Sequence, residues 1–212
     1  WDDIDVVAFG WDLPRYLPSK NNSLPSASDR EILEQCFGRI GTRTPEVAWI
    51  NHHLAHAASG FYSSSFERAA ILVVDGQGEE RSISVYRAGP EGLTLLRDWM
   101  PHQSLGFMYE AATRYCGFGH LDAGKTMGLA AFGESGAPLD LWWEDDDIRT
   151  PVPQGLDEDE VVDYWHRLLH ERFGAPPAPN VRYDPVLSRI SWACDGSGQH
   201  RPDVAAAAQQ TL

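Results

Sequence analysis

Asn51-His52-His53-Leu54-Ala55-His56-Ala57 follows directly on a short apolar stretch at residues 46–50. The apolar stretch predicts a strand, and the alanine and leucine after it favour a helix. Residues four apart project from the same face of a helix, so His52 and His56 can present two imidazoles to one metal ion. His53 projects from a different face of the helix. It could contact a metal ligand, donate a hydrogen bond to substrate, or be a core histidine bonded to a carbonyl. The pattern equally suits a buried polar helix start, and both interpretations stay open here.

A second apolar stretch, residues 69–74, has the strongest buried-strand pattern in the chain, and Asp75-Gly76-Gln77-Gly78-Glu79 follows it as a predicted turn. Glycines there let backbone N–H groups approach a phosphate without an intervening side chain. Asp75, Gly76, Gln77 and Gly78 are therefore candidate phosphate-binding residues. Asp-Gly is also an ordinary hairpin turn, so this motif does not decide between the two interpretations.

Residues 117–133 are rich in glycine, and the stretch from Gly119 to Thr126 has the Gly-x-x-x-x-Gly-Lys-Thr spacing of a phosphate-binding P-loop. Such a loop follows a buried strand. Residues 104–116 instead predict a helix with Ser104 as its N-cap, and this context argues against a P-loop. Lys125, on a helix predicted over 125–131, remains a candidate contact to phosphate.

The remaining patterns complete a chain that mixes strands and helices. Strands are predicted at residues 4–10, 82–87 and 93–99, helices at 30–37, 161–173 and from 203 onward, and a loop through the prolines of residues 11–27. Residues 134–160 combine prolines and glycines with two acidic runs, which predicts an exposed loop or insertion without a long helix or strand. His166 and His170 share a helix face, but no carboxylate motif accompanies them, so they predict a solvated or capping feature.

Composition and charge exclude several classes of function. The chain of 212 residues carries 17 Lys and Arg against 31 Asp and Glu, a net charge of −14, which disfavours nucleic acid and anionic membranes as partners. It contains no apolar run of the roughly 20 residues that a membrane span needs, and its start, Trp1-Asp2-Asp3, lacks the pattern of a secretion signal. A cytoplasmic protein is expected. Three widely spaced cysteines predict reduced, structural thiols.

The order and spacing of these motifs carry a family resemblance. Together with Phe61-Tyr62-Ser63 and Pro101-His102-Gln103-Ser104-Leu105-Gly106, they closely resemble the O-carbamoyltransferases of antibiotic tailoring and nodulation-factor synthesis. The resemblance covers most of residues 46–133. In those enzymes the N-terminal domain is similar to the transferase of threonylcarbamoyladenosine tRNA modification. It implies an α/β fold of the two-lobed actin, Hsp70 and sugar-kinase (ASKHA) type, incomplete at both ends of this chain.

The resemblance also implies a domain organisation. Residues 1–50 would end the first lobe, and residues 51–133 would form the metal-binding helix, the phosphate-loop meander and the following helices of the second lobe. Residues 134–160 would be the acidic insertion, and 161–212 a truncated helical remainder whose alanine-rich final helix lacks a partner within this chain. An aspartate metal ligand and a carbamoyl-adenylate-forming domain would lie outside it. We therefore expect the isolated chain to be inactive.

Site residues and cofactors follow from the same resemblance. The family's Asn-His-x-x-x-His motif falls on Asn51, His52 and His56, which implies Fe(II) or zinc at the two histidines. The tyrosine ligand of the tRNA-modifying relatives is absent from residues 72–75, and this favours the antibiotic-tailoring branch. Residues 75–78 and Lys125 would contact the phosphate of carbamoyl adenylate or ATP. The general base and the identity of the acceptor are not assigned.

The implied function is transfer of a carbamoyl group from carbamoyl adenylate to a hydroxyl of a small natural-product or sugar acceptor. Two other functions remain open at this level. A nucleotide-binding module of the same fold needs the phosphate loop but no metal-binding histidines. A kinase of that fold needs Mg²⁺ held by carboxylates rather than by imidazoles.

Overall fold

A computed structural model describes residues 1–19, 28–134, 136–175, 181–184, 189–192 and 200–212 of the chain. The fold is mixed α/β with several small sheets, which confirms the predicted class at that level. The chain divides into two compact units. Unit 1 comprises residues 1–73 and 78–98, and unit 2 comprises residues 74–77 and 99–212.

Unit 1 begins with two parallel strands. β1 (Val6–Phe9) pairs with β2 (Glu46–Trp49) so that Phe9 lies opposite Trp49. The link between them contains α2 (Asp29–Phe37), which starts at a capping box formed by Ser28 and Glu31 and ends at Gly38, where φ is 76°. Leu33 of α2 packs against β2 in a small core. The predicted strands and this helix are confirmed.

The predicted loop through the prolines of residues 11–27 is wrong in its first part, because Leu13–Ser19 form a helix, α1. The Asp12 carbonyl accepts from the backbone N–H groups of Arg15 and Tyr16 and so starts the first turn. Pro14 lies in that turn, where its missing N–H would have had no helical partner. Residues 20–27 lie outside the described part.

The second half of unit 1 is a helix packed on a three-stranded meander. α3 (His52–Tyr62) precedes β3 (Ala69–Gly78), β4 (Arg81–Gly89) and β5 (Gly92–Trp99), and the strand order is β3-β4-β5 as predicted. Ala57 of α3 packs against Val73 and Tyr86 of the sheet, and burial raises the pKa of the Tyr86 phenol. Leu72 is 65% exposed on the other side of β3. The expectation of a fully buried strand is therefore wrong.

Unit 2 is mainly helical. A 3-10 turn (Pro101–Gln103) leads into α4 (Leu105–Tyr115), which is followed by α5 (Ala123–Ala130), α6 (Glu158–Phe173) and α7 (His200–Thr211). The predicted cap is confirmed, since Ser104 Oγ accepts from Phe107 N at 3.1 Å. Side chains from these helices share one core, which includes Met108, Ala112, Trp165, Leu169 and Val204.

The final helix corrects an expectation. Its alanine-rich face was expected to lack a partner within this chain, yet residues 204–208 are all buried in the core of unit 2. Alanine brings little side-chain area, but it lets a helix backbone approach its neighbours closely, and it has the highest helix propensity. Other polypeptide is therefore not required to cover this face.

Residues 134–160 are, where described, mostly exposed and without a long strand, and α6 begins only at Glu158, so this part of the prediction is confirmed. They contain a short hairpin, β6 (Trp142–Glu144) and β7 (Asp147–Arg149), and they bury Leu139, Ile148 and Val152. Gln103 Nε2 donates to the Ile148 carbonyl at 2.7 Å, and Trp99 Nε1 donates to Asp147 at 2.9 Å. Prolines and acidic residues dominate the composition, but a few apolar residues suffice to anchor the segment. Residues 181–192 add one antiparallel pair, β8 (Val181–Asp184) and β9 (Arg189–Trp192).

Two of the three cysteines can be placed. Cys36 is exposed and Cys116 is buried, and both are free thiols. Burial raises the pKa of the Cys116 thiol to about 12, and its Sγ lies 3.4 Å from the Arg201 carbonyl. Cys194 lies outside the described residues. Among the helices that are described, none combines the length and the apolar character needed to cross a bilayer.

The core of unit 2 gives a stability prediction. Leu169 is 2% exposed, whereas Leu121 is 87% exposed. Leu169→Ala should lower the free energy of unfolding by about 2–5 kcal/mol, because it leaves a cavity among α4, α6 and α7. Leu121→Ala should change it by less than about 0.5 kcal/mol. Urea denaturation of both variants tests this, and equal effects would contradict the assigned core.

The cysteines give a reactivity prediction. The thiolate is the reactive form, so a pKa raised from 9.0 to about 12 keeps Cys116 protonated at pH 8 and lowers its thiolate fraction roughly a thousandfold. Iodoacetamide should therefore modify Cys36 but not Cys116 in the folded protein, and both once urea unfolds it. Mass spectrometry of the two peptides measures this. Equal labelling of both thiols before unfolding would refute the burial of Cys116.

Candidate metal centre

The junction between β2 and α3 places the two predicted metal ligands. Asn51 is the N-cap of α3, and its side-chain oxygen accepts from Leu54 N at 3.2 Å. The helix therefore begins at His52, and His56 follows one turn later on the same face. The two Nε2 atoms lie 3.0 Å apart, and the ring centroids are 4.5 Å apart. The predicted convergence of His52 and His56 is thus present in the structure.

The surroundings of His52 determine which tautomer its imidazole adopts. Its Nδ1 lies 3.0 Å from the Gly10 carbonyl, which can only accept a hydrogen bond. Nδ1 must therefore carry a proton, and Nε2 of the neutral ring has its lone pair directed towards His56. The Trp11 indole packs against the same imidazole with ring centroids 4.3 Å apart. This is the usual arrangement of a metal-binding histidine, in which one nitrogen donates to a carbonyl and the other faces the ion.

These two residues fit a shared transition-metal ion. Two metal–nitrogen bonds of about 2.0–2.1 Å at a tetrahedral angle place their nitrogens about 3.4 Å apart. The observed 3.0 Å between the Nε2 atoms differs from that by a few tenths of an ångström. Two nitrogens at this distance require a proton or a cation between them, because two lone pairs repel each other. Imidazole ligands suit iron or zinc rather than Mg²⁺.

The Glu79 carboxylate connects the loop after β1 to the start of α3. Its side chain is only 6% exposed, and one carboxylate oxygen accepts from Asp12 N at 2.7 Å and from His52 N at 3.1 Å. The other oxygen accepts from the Asn51 side-chain amide. The sequence pattern includes Glu79 as the last residue of the predicted turn after β3, but it gives this side chain no role of its own. Its left-handed backbone, with φ of 56°, is visible only in three dimensions.

His53 and Gly78 complete the packing around His52. His53 is fully buried, and its Nδ1 hydrogen-bonds to Ser84 Oγ of β4 at 2.7 Å, so it is a core histidine. A Cβ atom at Gly78 would lie 2.5 Å from Cδ2 of both His52 and His53. Gly78 was predicted as a phosphate contact, and in the structure it makes room for the imidazoles.

The other predicted phosphate-binding residues of this stretch lie in unit 2. Of the turn predicted over residues 75–79, only the last residue is confirmed, because Asp75, Gly76 and Gln77 continue β3 in an extended conformation and the chain turns at Glu79 and Glu80. Ser104 Oγ donates to the Gly76 carbonyl at 2.7 Å. A Cβ atom at Gly106 would lie 2.7 Å from Gly76 N. The two glycines thus allow the strand to cross closely over the start of α4.

Lys125 lies near the start of α5 and is exposed. Its ammonium group pairs with Asp122 at 2.8 Å, and this contact, together with the hydrogen bond from Gly119 N, lowers the pKa of the Asp122 carboxyl. The helix predicted over 125–131 is confirmed with bounds Ala123–Ala130. The ion pair is the observed role of Lys125, and a phosphate contact stays a prediction.

His166 and His170 are half-buried on α6, with ring centroids 4.6 Å apart. The Tyr115 ring packs edge-on against both imidazoles. Burial lowers the pKa of His166, and the neighbouring His170 lowers it further. The prediction of a solvated or capping feature is therefore confirmed only in part, since both imidazoles are half-exposed but also pack against Tyr115 in unit 2.

Comparison with known proteins identifies the family. The model of the carbamoyltransferase N-terminus matches residues 30–140, a stretch that contains α3, the meander and α4. The chain belongs to this carbamoyltransferase family.

Three relatives agree with the family match. The carbamoyltransferase chain is 34% identical over 151 residues to nodulation protein NolNO of Sinorhizobium fredii, 42% over 113 residues to an uncharacterised protein of Synechocystis, and 36% over 85 residues to nodulation protein NolO of Bradyrhizobium diazoefficiens. The matches cover 66%, 50% and 40% of this chain respectively. They cover only 22%, 18% and 16% of the relatives. The chain thus spans about a fifth of their length.

Gly78 gives a prediction that is independent of any metal. Gly78→Ala should lower the free energy of unfolding by about 1–3 kcal/mol, because the added methyl group overlaps two imidazoles. Gly60→Ala on α3 is the matched control, since a Cβ atom there meets nothing within 4 Å. It should leave stability unchanged or raise it by up to about 1 kcal/mol. Thermal unfolding of both variants measures the difference, and a Gly78→Ala protein as stable as the wild type would show that the packing is misassigned.

Proposed function

We propose that this chain is part of an O-carbamoyltransferase that passes a carbamoyl group from carbamoyl adenylate to a hydroxyl of a small natural-product or sugar acceptor. The observation that carries the proposal is the convergence of His52 and His56 within the stretch that matches the carbamoyltransferase N-terminus. A nucleotide-binding module or a kinase of similar fold has no need for two imidazoles directed at each other. The net charge of −14 also favours a small-molecule acceptor over nucleic acid or an anionic membrane.

The finer fold assignment belongs to the same proposal. The meander β3-β4-β5 followed by α4 is consistent with one lobe of an actin, Hsp70 and sugar-kinase (ASKHA) type of domain. The carbamoyl-adenylate-forming domain would be supplied by other parts of a longer protein, since the relatives are about five times as long as the matched stretch.

His52 and His56 would hold Fe(II) or zinc. When bound, such an ion supplies a Lewis acid and a template for the carbamoyl donor. The chain's own residues prepare the site before any ion arrives. The Gly10 carbonyl favours the His52 tautomer that is protonated at Nδ1, and Trp11 packs against the same imidazole. Glu79 holds the backbone of the same residue. The ligand geometry is thus set by packing and hydrogen bonds.

Unit 2 would contribute to holding the donor phosphate. The positive end of the α4 dipole favours an anion near the segment from Asp75 to Gln77, where β3 crosses the start of this helix. Gln77 and Asp75 flank Gly76, and the exposed ammonium group of Lys125 is a further candidate contact in this unit. The acceptor oxygen would attack the carbamoyl carbon, the carbon–oxygen bond to the phosphate would break, and AMP would leave. The hydroxyl proton passes to a general base.

The test uses the full-length protein with His52→Ala and His56→Ala, and with the exposed His120→Ala as control. Both site variants should lose stoichiometric iron or zinc, measured by plasma mass spectrometry. Transfer from synthetic carbamoyl adenylate to a panel of alcohols should fall by more than the roughly 10–100-fold that loss of an outer-shell partner costs. His120→Ala should match the wild type.

Metal retained in both site variants would refute the assigned ligands. Absence of carbamoyl transfer by the wild-type protein to any alcohol of the panel, with AMP release no faster than spontaneous hydrolysis, would refute the proposed reaction. Nucleotide binding that persists without metal and without transfer would instead support the binding-module alternative.

A further inference from the structure

We infer that Glu79 is a positioning residue for the metal centre, acting through Asn51 and His52. The inference rests on the proposed function, since it concerns how the ligands of that centre are held. Neither sequence spacing nor the family match assigns this carboxylate a role. The structure does so through hydrogen bonds to it from the loop after β1, the N-cap of α3 and the first residue of α3.

The hydrogen bonds of Glu79 divide between its two oxygens. Oε1 accepts from Asp12 N and His52 N, and Oε2 accepts from Asn51 Nδ2. Asn51 is thereby fixed in one orientation, because its amide nitrogen faces Glu79 while its oxygen caps Leu54 N. Reversing the amide would lose both contacts at once. Glu79 therefore secures the residue at which α3 begins, and this determines the direction of the His52 and His56 side chains.

The same carboxylate also fixes the partner of the His52 ring. Asp12, which donates to Glu79, is two residues from Gly10, whose carbonyl accepts from His52 Nδ1. Trp11, between them, packs against the imidazole. One buried side chain thus ties the backbone of His52 to the loop that orients its ring. A change at Glu79 should alter the ligand geometry while both histidines remain in place.

A carboxylate suits this position for electrostatic reasons. A buried anion is costly unless hydrogen-bond donors surround it, and here Glu79 faces N–H groups and the N-terminal end of α3, where the helix dipole is positive. A glutamine would still accept through one oxygen. Its amide nitrogen would face the Asn51 amide nitrogen, and two donors cannot bond to each other. The glutamine variant therefore removes one defined contact with almost no change in volume.

The experiment is a double-mutant cycle in the full-length protein, with Glu79→Gln, Asn51→Asp and the double variant. In the double variant, the introduced aspartate can cap Leu54 N with one oxygen. Its other oxygen can accept from the amide of the introduced glutamine, which restores the contact with reversed polarity. Aspartate and asparagine are equivalent as N-caps. Glu80→Gln is the control, because Glu80 is the exposed neighbour that pairs with Arg15.

Three measurements are made on each variant: the Kd for zinc by competition with a chelator, the visible spectrum of the cobalt(II) form, and the unfolding midpoint of the metal-free protein. Glu79→Gln should raise the Kd about tenfold, the lower end of the range for outer-shell partners, and shift the cobalt bands. Asn51→Asp should be at least as damaging, because it opposes two carboxylates. The double variant should bind zinc within about threefold of the wild type, and Glu80→Gln should be unchanged.

A purely structural role for Glu79 predicts a lower unfolding midpoint with an unchanged cobalt spectrum in the folded fraction, and that result would overturn the inference. An unchanged zinc Kd in Glu79→Gln would also overturn it while leaving the two-histidine site intact. A wild-type protein that binds neither zinc nor cobalt would overturn the proposed function and this inference together. If Glu79→Gln does not fold, recovery of both folding and the cobalt spectrum in the double variant supports the inference, and failure of the double variant overturns it.

Discussion

The position at which α3 begins is the constraint on which the candidate site depends. Each residue along a helix rotates by about 100°, so a start displaced by one residue would turn His52 and His56 away from their present direction. Asn51 fixes the start through its cap to Leu54 N and its amide contact with Glu79. The parallel pairing of β1 and β2 ends beside it, with Ile50 N donating to the Phe9 carbonyl at 2.9 Å. The strand pairing therefore places the Gly10 carbonyl next to the His52 ring.

Glycines near the site show why a glycine-rich pattern is ambiguous in sequence. Gly76 and Gly78 lie two residues apart on β3, yet they serve different neighbours. Gly78 leaves space for His52 and His53, whereas Gly76 allows close passage over Gly106 of α4. A phosphate loop and a tightly packed crossing both require residues without a side chain. The sequence therefore identified the positions correctly as special, but it could not state what each one approaches.

Local patterns predicted much of the fold, and the errors share a physical cause. The Asn51 helix start, the Ser104 cap and the meander could be predicted because each depends on neighbours within a few residues. The burial of individual side chains could not be predicted in this way, because it depends on which distant parts of the chain pack against them. Leu72 resembles a core residue and is exposed, whereas Leu139 and the alanines of α7 are buried.

Within the site, the two histidines were predictable from helical spacing, whereas Glu79 was not. Its three donors are one residue within α3, the N-cap before it and Asp12, which lies 67 residues earlier in the chain. No local pattern links those segments. A long-range contact of this kind becomes visible only when the backbone path is known, and a positive φ at Glu79 adds a second feature that side-chain identity does not reveal.

The charge of the proposed ligand set bears on the proposed chemistry. Two neutral imidazoles leave the double positive charge of a bound ion uncompensated, and they occupy only two coordination positions. A structural zinc site is closed by four protein ligands, whereas a catalytic ion needs an open position and a residual charge that attracts an anionic donor. Glu79 places a carboxylate next to the backbone of His52, where its charge is shared among three N–H donors. A carboxylate in that position would attract a cation at the two imidazoles without itself occupying a coordination position.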